Sequence, residues 1–278
     1  AEGLEAETRF RVLEERGARV LTIQADVSEP DDVDAVLGTI QGNMPQLGGI
    51  IHAAGVLDDH TLLEQSAKSF HTAFAAKALG AWNLHAACAD RDLDFFVMYS
   101  SAASLCGSPG QANYCAANAF LDGLAHLRVS QGKKAQSIQW GAFSEVGMAA
   151  AQENRGKRVA GLGAASLSPS EGHQLLEKLA SSALPNVGVI RLNARQWVES
   201  MPSAAGLPYF SDLAKSVGGP RRSKAAAKLL EKLNGAHDQE KHPLLLEYVT
   251  EQIGSVLQQE PSQRIYMRWL HMRYRLYF

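Results

Sequence analysis

Cysteine is scarce: Cys88, Cys106 and Cys115 are the only three in the chain. They form neither a disulfide framework nor a set of paired metal ligands, so reduced thiols in a cytoplasmic setting are expected, and no metal site. An excess of charge of either sign is lacking too. The 27 Lys+Arg stand against 29 Asp+Glu for a net charge of -2, which provides no general field to hold nucleic acid or an anionic membrane surface. No apolar run reaches the roughly 18 residues of a membrane span. The opening "AEGLEAETRF" has neither the basic start nor the apolar centre of an export leader. The expectation is a soluble protein with no nucleic-acid partner and no membrane partner.

What is present suffices for a core: 278 residues, 46% of them hydrophobic, can form one sizeable domain with an attachment. Short β-branched or apolar runs recur, "VLTIQADV" from Val20, "GGIIHAAG" from Gly48, "DFFVMYSS" from Asp94, "AQSIQWGAF" from Ala135 and "NVGVIRLN" from Asn186. Helical stretches fit between them, at Asp31 to Gln41, Ser66 to Ala89, from near Ala112, and Pro169 to Ser182 after a capping Ser168. This alternation predicts an α/β fold, a Rossmann-like parallel sheet with helices on both faces. In such sheets ligands gather beyond the carboxyl ends of the strands. Those ends carry Asp26, His52 to Gly55, Ser100 with Ser101, and Trp140 with Gly141.

The texture changes beyond Met201. Residues 203–240 are rich in proline, glycine, alanine and charge and read as a linker with at most one solvated helix. "HPLLLEYVTEQIGSVLQ" from His242 restores helical periodicity, as in the first helix of another small domain. The end, "RIYMRWLHMRYRLYF", is abruptly aromatic and basic. Stacking on bases or entering an interface is one reading of it; a segment lacking its partner helices, or read out of frame, is the other. Residues 266–278 are left unassigned.

"SSAASLCGSPGQANYCAANAFLDGLA" from Ser100 joins a strand end to a Gly-Pro loop and a helix, and raises the question of Ser101, Tyr114 and Asn118. Singly each has an ordinary explanation: a hydroxyl satisfying loop backbone, a helix-start aromatic, an amide on a wet face. Lys77 alone is ordinarily a solvated charge, and His52 a packed or surface histidine.

Together with "GGIIHAAGVLDD", "AAKALGAWNLH" and "QWGAFSEVGMA", however, this stretch resembles the ketoreductase domain of modular polyketide synthases, a relative of the short-chain dehydrogenases, over roughly residues 18 to 200. In the wider dehydrogenase family a lysine follows the tyrosine by four positions. Here that position is Asn118, and Lys77 on the preceding long helix fits the exchange that marks polyketide and fatty acid ketoreductases. The resemblance implies reduction of a β-ketoacyl thioester with NADPH. Tyr114 is then the proton donor, Ser101 bonds the substrate carbonyl, Lys77 eases loss of the phenolic proton, and Asn118 holds the relay in line. Asp26, followed by Val27, resembles the acidic position beside the cofactor's adenine, although an aspartate there also caps the following turn. Ala53, Ala54 and Gly55 let backbone approach the cofactor, or simply make a tight strand exit. Leu57, Asp58 and Asp59 resemble the fingerprint of ketoreductases that form the D-configured β-hydroxyl. Pro109 resembles a mark of substrates with an epimerised α-substituent, and the segment from Gly147 through "GLGAASLSP" resembles a mobile lid.

The resemblance also implies what surrounds the chain. No Gly-rich turn for a pyrophosphate occurs, so residues 1–202 read as a partial ketoreductase domain that starts mid-domain. The Val20 strand is then expected to have lost its neighbour or to lie displaced against the Gly48 strand, with NADPH bound weakly by the chain alone. Residues 241–265 resemble the opening of an acyl carrier domain, without the serine that takes phosphopantetheine. The implied partners are that carrier, bearing the phosphopantetheine-linked substrate, and other synthase domains. A free-standing reductase of small ketones and a non-catalytic docking remnant are the alternatives.

Overall fold

The computed structural model describes residues 2–145, 147, 163–180, 182–218 and 224–257. Two compact units divide the chain, Ala1–Ser200 and Met201–Phe278. The first is built on a sheet of strands β1 (Gly49–His52), β2 (Phe95–Ser101), β3 (Gln136–Trp140) and β5 (Asn186–Val189), in the order β1-β2-β3-β5 and parallel throughout. A two-stranded antiparallel ribbon pairs β4 (Ala164–Ala165) with β6 (Arg191–Leu192).

Helices supply the crossovers that parallel strands require. Helix α1 (Glu2–Glu15) precedes α2 (Pro30–Asn43), which starts with Pro30 in its first turn beside Asp31 and Asp32, a start favoured by the fixed proline φ and the helix dipole. Between β1 and β2 lies a long interrupted helix: α3 (Ala67–Phe74), a π-helical turn (Ala75–Leu79) and α4 (Gly80–Ala87). Ser66 and Ser69 close its amino end with a reciprocal capping box. The short α5 (Ala102–Cys106) and the 19-residue α6 (Ala112–Ser130) connect β2 to β3. Helix α7 (Pro169–Ala180) follows Ser168, whose hydroxyl accepts from the Glu171 N–H while the Glu171 carboxylate takes the Ser168 N–H. Helix α8 (Ala194–Ser200) closes the unit.

The pleat of β2 separates two cores. Phe96 and Met98 pack with Val33, Leu37, Ala81, Leu121, Leu124 and Ala125 of α2, α4 and α6. Val97 points the other way, to a core with Ile138, Trp140 and Leu167, backed by Tyr99 and by Leu175, Leu176 and Leu179 of α7. Helices thus cover both faces of a Rossmann-like sheet, as the alternation of the sequence predicts.

Two expectations fail. Residues 20–26 form no strand, and β1 pairs only with β2 among the described residues. Leu21 and Ile23 stay exposed, and the segment ends in a turn where Asp26 Oδ1 accepts the Ser28 N–H at 2.9 Å and hydroxyl at 2.7 Å. Strand propensity is expressed only where a segment pairs, and among the described residues none pairs with 20–26, although β1 lies at the edge of the sheet. Residues 203–240, expected as linker, instead carry α9 (Pro202–Ala205), a 3₁₀ turn (Pro208–Phe210), α10 (Ser211–Ser216) and α11 (Lys224–Gly235). Ala205, Phe210 and Ala214 are buried while Tyr209 is exposed, so part of a stretch that resembled a spacer packs. Helix α12 (Asp238–Leu257) follows. The aromatic-basic tail and most of the expected lid lie outside the described residues.

Candidate active site

A cavity of about 380 Å³ opens where the carboxyl ends of the strands meet α5, α6 and the β4–β6 ribbon. It is lined by the large side chains of Tyr99, Trp140, Phe143, Ile190 and Trp197 and by the small residues Ala53, Gly55, Ser100 and Gly141. Lys77, Ser101 and Tyr114 all line it.

Each of the three is delivered by a local device. Lys77 sits in the π-helical turn, a distortion that re-aims one side chain and recurs at functional sites. It is 2% exposed. Its Nζ donates to the Tyr99 carbonyl at 2.8 Å and lies 5.5 Å from the centroid of the Tyr114 ring. Ser101, the last residue of β2, caps α5, its hydroxyl accepting the Ala103 N–H at 3.2 Å. The ordinary capping role and a place in the cavity wall therefore coexist in one side chain. Tyr114 stands in the first turn of α6, where its N–H donates to Asn113 Oδ1 at 2.8 Å.

Burial dominates the electrostatics. Lys77 is brought down from 10.5 to about 8 by desolvation, which the negative charge of Asp122 opposes. Burial likewise raises Tyr114 above its usual 10, offset in part by hydrogen bonding from Ser101 and Asn118. Both shifts have burial as their leading cause: it disfavours the charged form of each group, the ammonium of Lys77 and the phenolate of Tyr114.

Asn118 is fully buried and absent from the cavity wall, its Nδ2 donating to the Tyr114 carbonyl one turn earlier at 2.8 Å. It acts on the backbone that carries Tyr114, and its Oδ1 is buried without a hydrogen-bond partner. Leu57 lines the cavity. Asp58 and Asp59 do not; they pin the loop behind it, the Asp58 carbonyl accepting Asn113 Nδ2 at 2.8 Å and the Asp59 carboxylate accepting Gln111 Nε2 at 3.1 Å. Pro109 and Ala54 lie off the wall, as do Asp26 and Val27. The Asp26 carboxylate is fully exposed and held below its usual range by the Ser28 hydroxyl and N–H, which is the turn-capping arrangement. Among the described residues, no helix is long and apolar enough to cross a membrane, and no three His, Cys, Asp or Glu side chains group to hold a metal ion.

Asp122 escaped the reading of the sequence. Its Oδ2 accepts from Ser104 at 2.7 Å and Gln139 at 2.8 Å, and its Oδ1 from Ser137 at 2.6 Å. The signal was the helical spacing of Tyr114, Asn118 and Asp122, which puts all three on one face of α6. Tyr99 and Trp140 were legible only as strand residues.

Residues 2–145 match the KR domain family. The chain belongs to this family of polyketide synthase ketoreductases. The ketoreductase is 38% identical over 256 residues to the phenolphthiocerol synthesis polyketide synthase type I Pks15/1 of Mycobacterium marinum, a match covering 88% of this chain and 12% of that protein. It is 35% identical over 255 residues to polyketide synthase GfsA of Streptomyces halstedii, covering 88% of this chain and 3% of that one. The chain therefore corresponds to a small part of large multidomain relatives. Among solved structures, A-type ketoreductases from a modular polyketide synthase superpose with a TM-score of 0.70 at 30% identity, over 76% of this chain and 44% of theirs. The PlmKR1 ketoreductase from the first module of phoslactomycin biosynthesis in a Streptomyces species gives 0.66 at 28% identity, over 73% of this chain and 46% of that one.

Ketoreductases of this kind use a nicotinamide cofactor, and the cavity suits the nicotinamide end of one. Small residues at 53, 55 and 141 leave it room, its large side chains are mostly aromatic, and the buried Lys77 ammonium supplies a donor set for hydroxyl oxygens. At Gly141 any side chain would press on the Val189 carbonyl, 3.2 Å from the position of its Cβ. The adenine end finds no comparable wall at Asp26.

Proposed function

We propose that, in the synthase to which it belongs, this chain reduces a carrier-bound β-ketoacyl thioester to the D-configured β-hydroxyacyl thioester with NADPH. The observation that carries the proposal is the convergence of a protonated phenol, a buried lysine and a hydroxyl, from three separate elements, on one cavity. The cofactor supplies the hydride that becomes the new C–H bond. The chain's residues handle the oxygen: Ser101 donates a hydrogen bond to the ketone and Tyr114 gives its proton to the developing alkoxide. Lys77, held by the Tyr99 carbonyl, stabilises the phenolate left behind. Asn118 keeps the first turns of α6, and with them Tyr114, in register.

The Leu57 to Asp59 loop supports the D assignment, because its bonds to Asn113 and Gln111 fix it beside the start of α6, where it limits how an acyl chain enters. Residues 241–265 are assigned to the opening of an acyl carrier domain, a reading supported by the helical character of Asp238–Leu257. The remaining proposed partners are the other synthase domains.

The test uses the whole synthase with a β-ketoacyl N-acetylcysteamine thioester, following NADPH oxidation and the configuration of the alcohol. Tyr114→Phe is expected to slow reduction by ~10²–10⁴-fold. An unchanged rate in that variant overturns the catalytic reading, and an L-configured product overturns the stereochemical one.

A further inference from the structure

His52 has no place in the chemistry above, yet it is 3% exposed and its Nε2 lies 3.0 Å from the backbone carbonyl of Lys77. A carbonyl can only accept, so the ring must carry its proton on Nε2. Burial lowers the imidazole from 6.5 to about 4, so it is neutral at pH 7 and donates this single bond.

The acceptor it meets is unusual. The π-helical turn at Ala75–Leu79 departs from the regular ladder: the Gly80 N–H is shared between the carbonyls of Ala75 and Lys77. Such a turn is costly unless tertiary contacts support it. The His52 ring is one of those contacts, and it is wedged in place. A Cβ at residue 80 would lie 3.2 Å from His52 Cε1 and 2.7 Å from Val27 Cγ2, so α4 packs directly on the ring.

Lys77 is consequently gripped at both ends. Its carbonyl is held from β1 by His52, and its Nζ is held from β2 by the Tyr99 carbonyl at 2.8 Å. The two strands are neighbours in register, His52 opposite Met98 and Tyr99 one residue on. We propose that His52 is a positioning residue of the ketoreductase: through the Lys77 carbonyl it fixes the π-helical turn and so the depth at which the Lys77 ammonium reaches Tyr99 and Tyr114. The role rests on the reductase reading of the cavity.

Two substitutions of nearly equal volume separate the donor from the bulk. His52→Gln retains an N–H within reach of the carbonyl, whereas His52→Met does not. In the whole synthase with the thioester substrate, His52→Met is expected to lower kcat on the order of 10²-fold, the cost of a small displacement of a catalytic group, with little change in KM. His52→Gln should stay within about tenfold of the parent, the scale of one altered hydrogen bond. Coordinates of the Met variant should show Nζ withdrawn from the Tyr99 carbonyl. Equal kcat in the Gln and Met variants, an effect confined to KM, or an unmoved Nζ overturns the proposal. A parent protein without reductase activity would instead overturn the reductase reading, because the displacement of Nζ is read from coordinates.

Discussion

The Ser137 hydroxyl donates to Asp122 Oδ1 at 2.6 Å, fastening a fully buried side chain of β3 to a carboxylate on α6. The other oxygen, Oδ2, accepts Ser104 and Gln139, so one residue gathers β3, α5 and α6 at the level of the cavity. Asp122→Ala takes the carboxylate from the buried Ser137 hydroxyl, while Ser104 can still turn to the Ser101 carbonyl and Gln139 to the Ser104 hydroxyl. A loss of about 3 kcal/mol is expected, the scale for a buried donor deprived of a charged acceptor. Urea unfolding of the purified protein measures it, and a loss within error of zero would show that the clasp is dispensable.

The same carboxylate tunes Lys77. With desolvation bringing Lys77 to about 8 and Asp122 pulling the other way, reduction should fall as pH rises through about 8, where the ammonium is lost. In Asp122→Asn the fall should begin at lower pH. The dependence of kcat on pH for parent and variant decides this. A plateau continuing towards the ordinary lysine value of ~10.4 would mean that the lysine charge does not limit the reaction.

Acid stability should report His52. Its pKa is about 4 in the folded chain and ~6.5 when unfolded. Between those values the unfolded chain binds a proton that the folded one refuses, so stability drops as pH falls through that window and is unaffected by this group at neutral pH. The full effect is about 3 kcal/mol. Comparing unfolding free energies of the parent and His52→Gln at pH 7 and near pH 4 isolates it from the carboxylates. Parallel pH profiles would assign the acid loss elsewhere.

Arg128 is 1% exposed and lies over the Phe96 ring at 4.0 Å, with Nη1 2.9 Å from His85 Nδ1 and Nε donating to the Lys134 carbonyl at 3.3 Å. Its worth is in packing and donor bonds, with no carboxylate among these contacts. Arg128→Ala, which opens a cavity and frees both acceptors, should cost about 3 kcal/mol. Arg128→Met, which refills the volume, should recover part of that in thermal unfolding. Equal losses in the two variants would show that the stem contributes nothing.

How much of this was legible in the sequence varies by residue. The strands at Gly49, Phe95, Gln136 and Asn186 follow from β-branched runs, and the helix starts at Pro30 and Ser66 from capping chemistry. Val20 to Asp26 carries an equally good strand pattern and remains irregular, because a pattern records what a segment favours and not whether a partner edge faces it. Lys77, Ser101 and Tyr114 could be named from motifs, but the π-helical turn that aims the lysine has no signature in "AAKAL". The burial that raises Tyr114 is illegible in the sequence for a related reason. Burial depends on all the elements around the phenol, whereas the sequence shows only the neighbouring charge.

The π-helical turn also sets the phase of everything after it. Each helical residue advances the chain by about 100° around the axis, so a deletion that made Ala67–Ala87 a regular helix would rotate one half against the other. Either Lys77 would swing away from the cavity, or Ala81 and His85 would leave the interior they now occupy. Point substitutions at this turn alter one contact. A change of length by a single residue would force a choice between the reaction and the core.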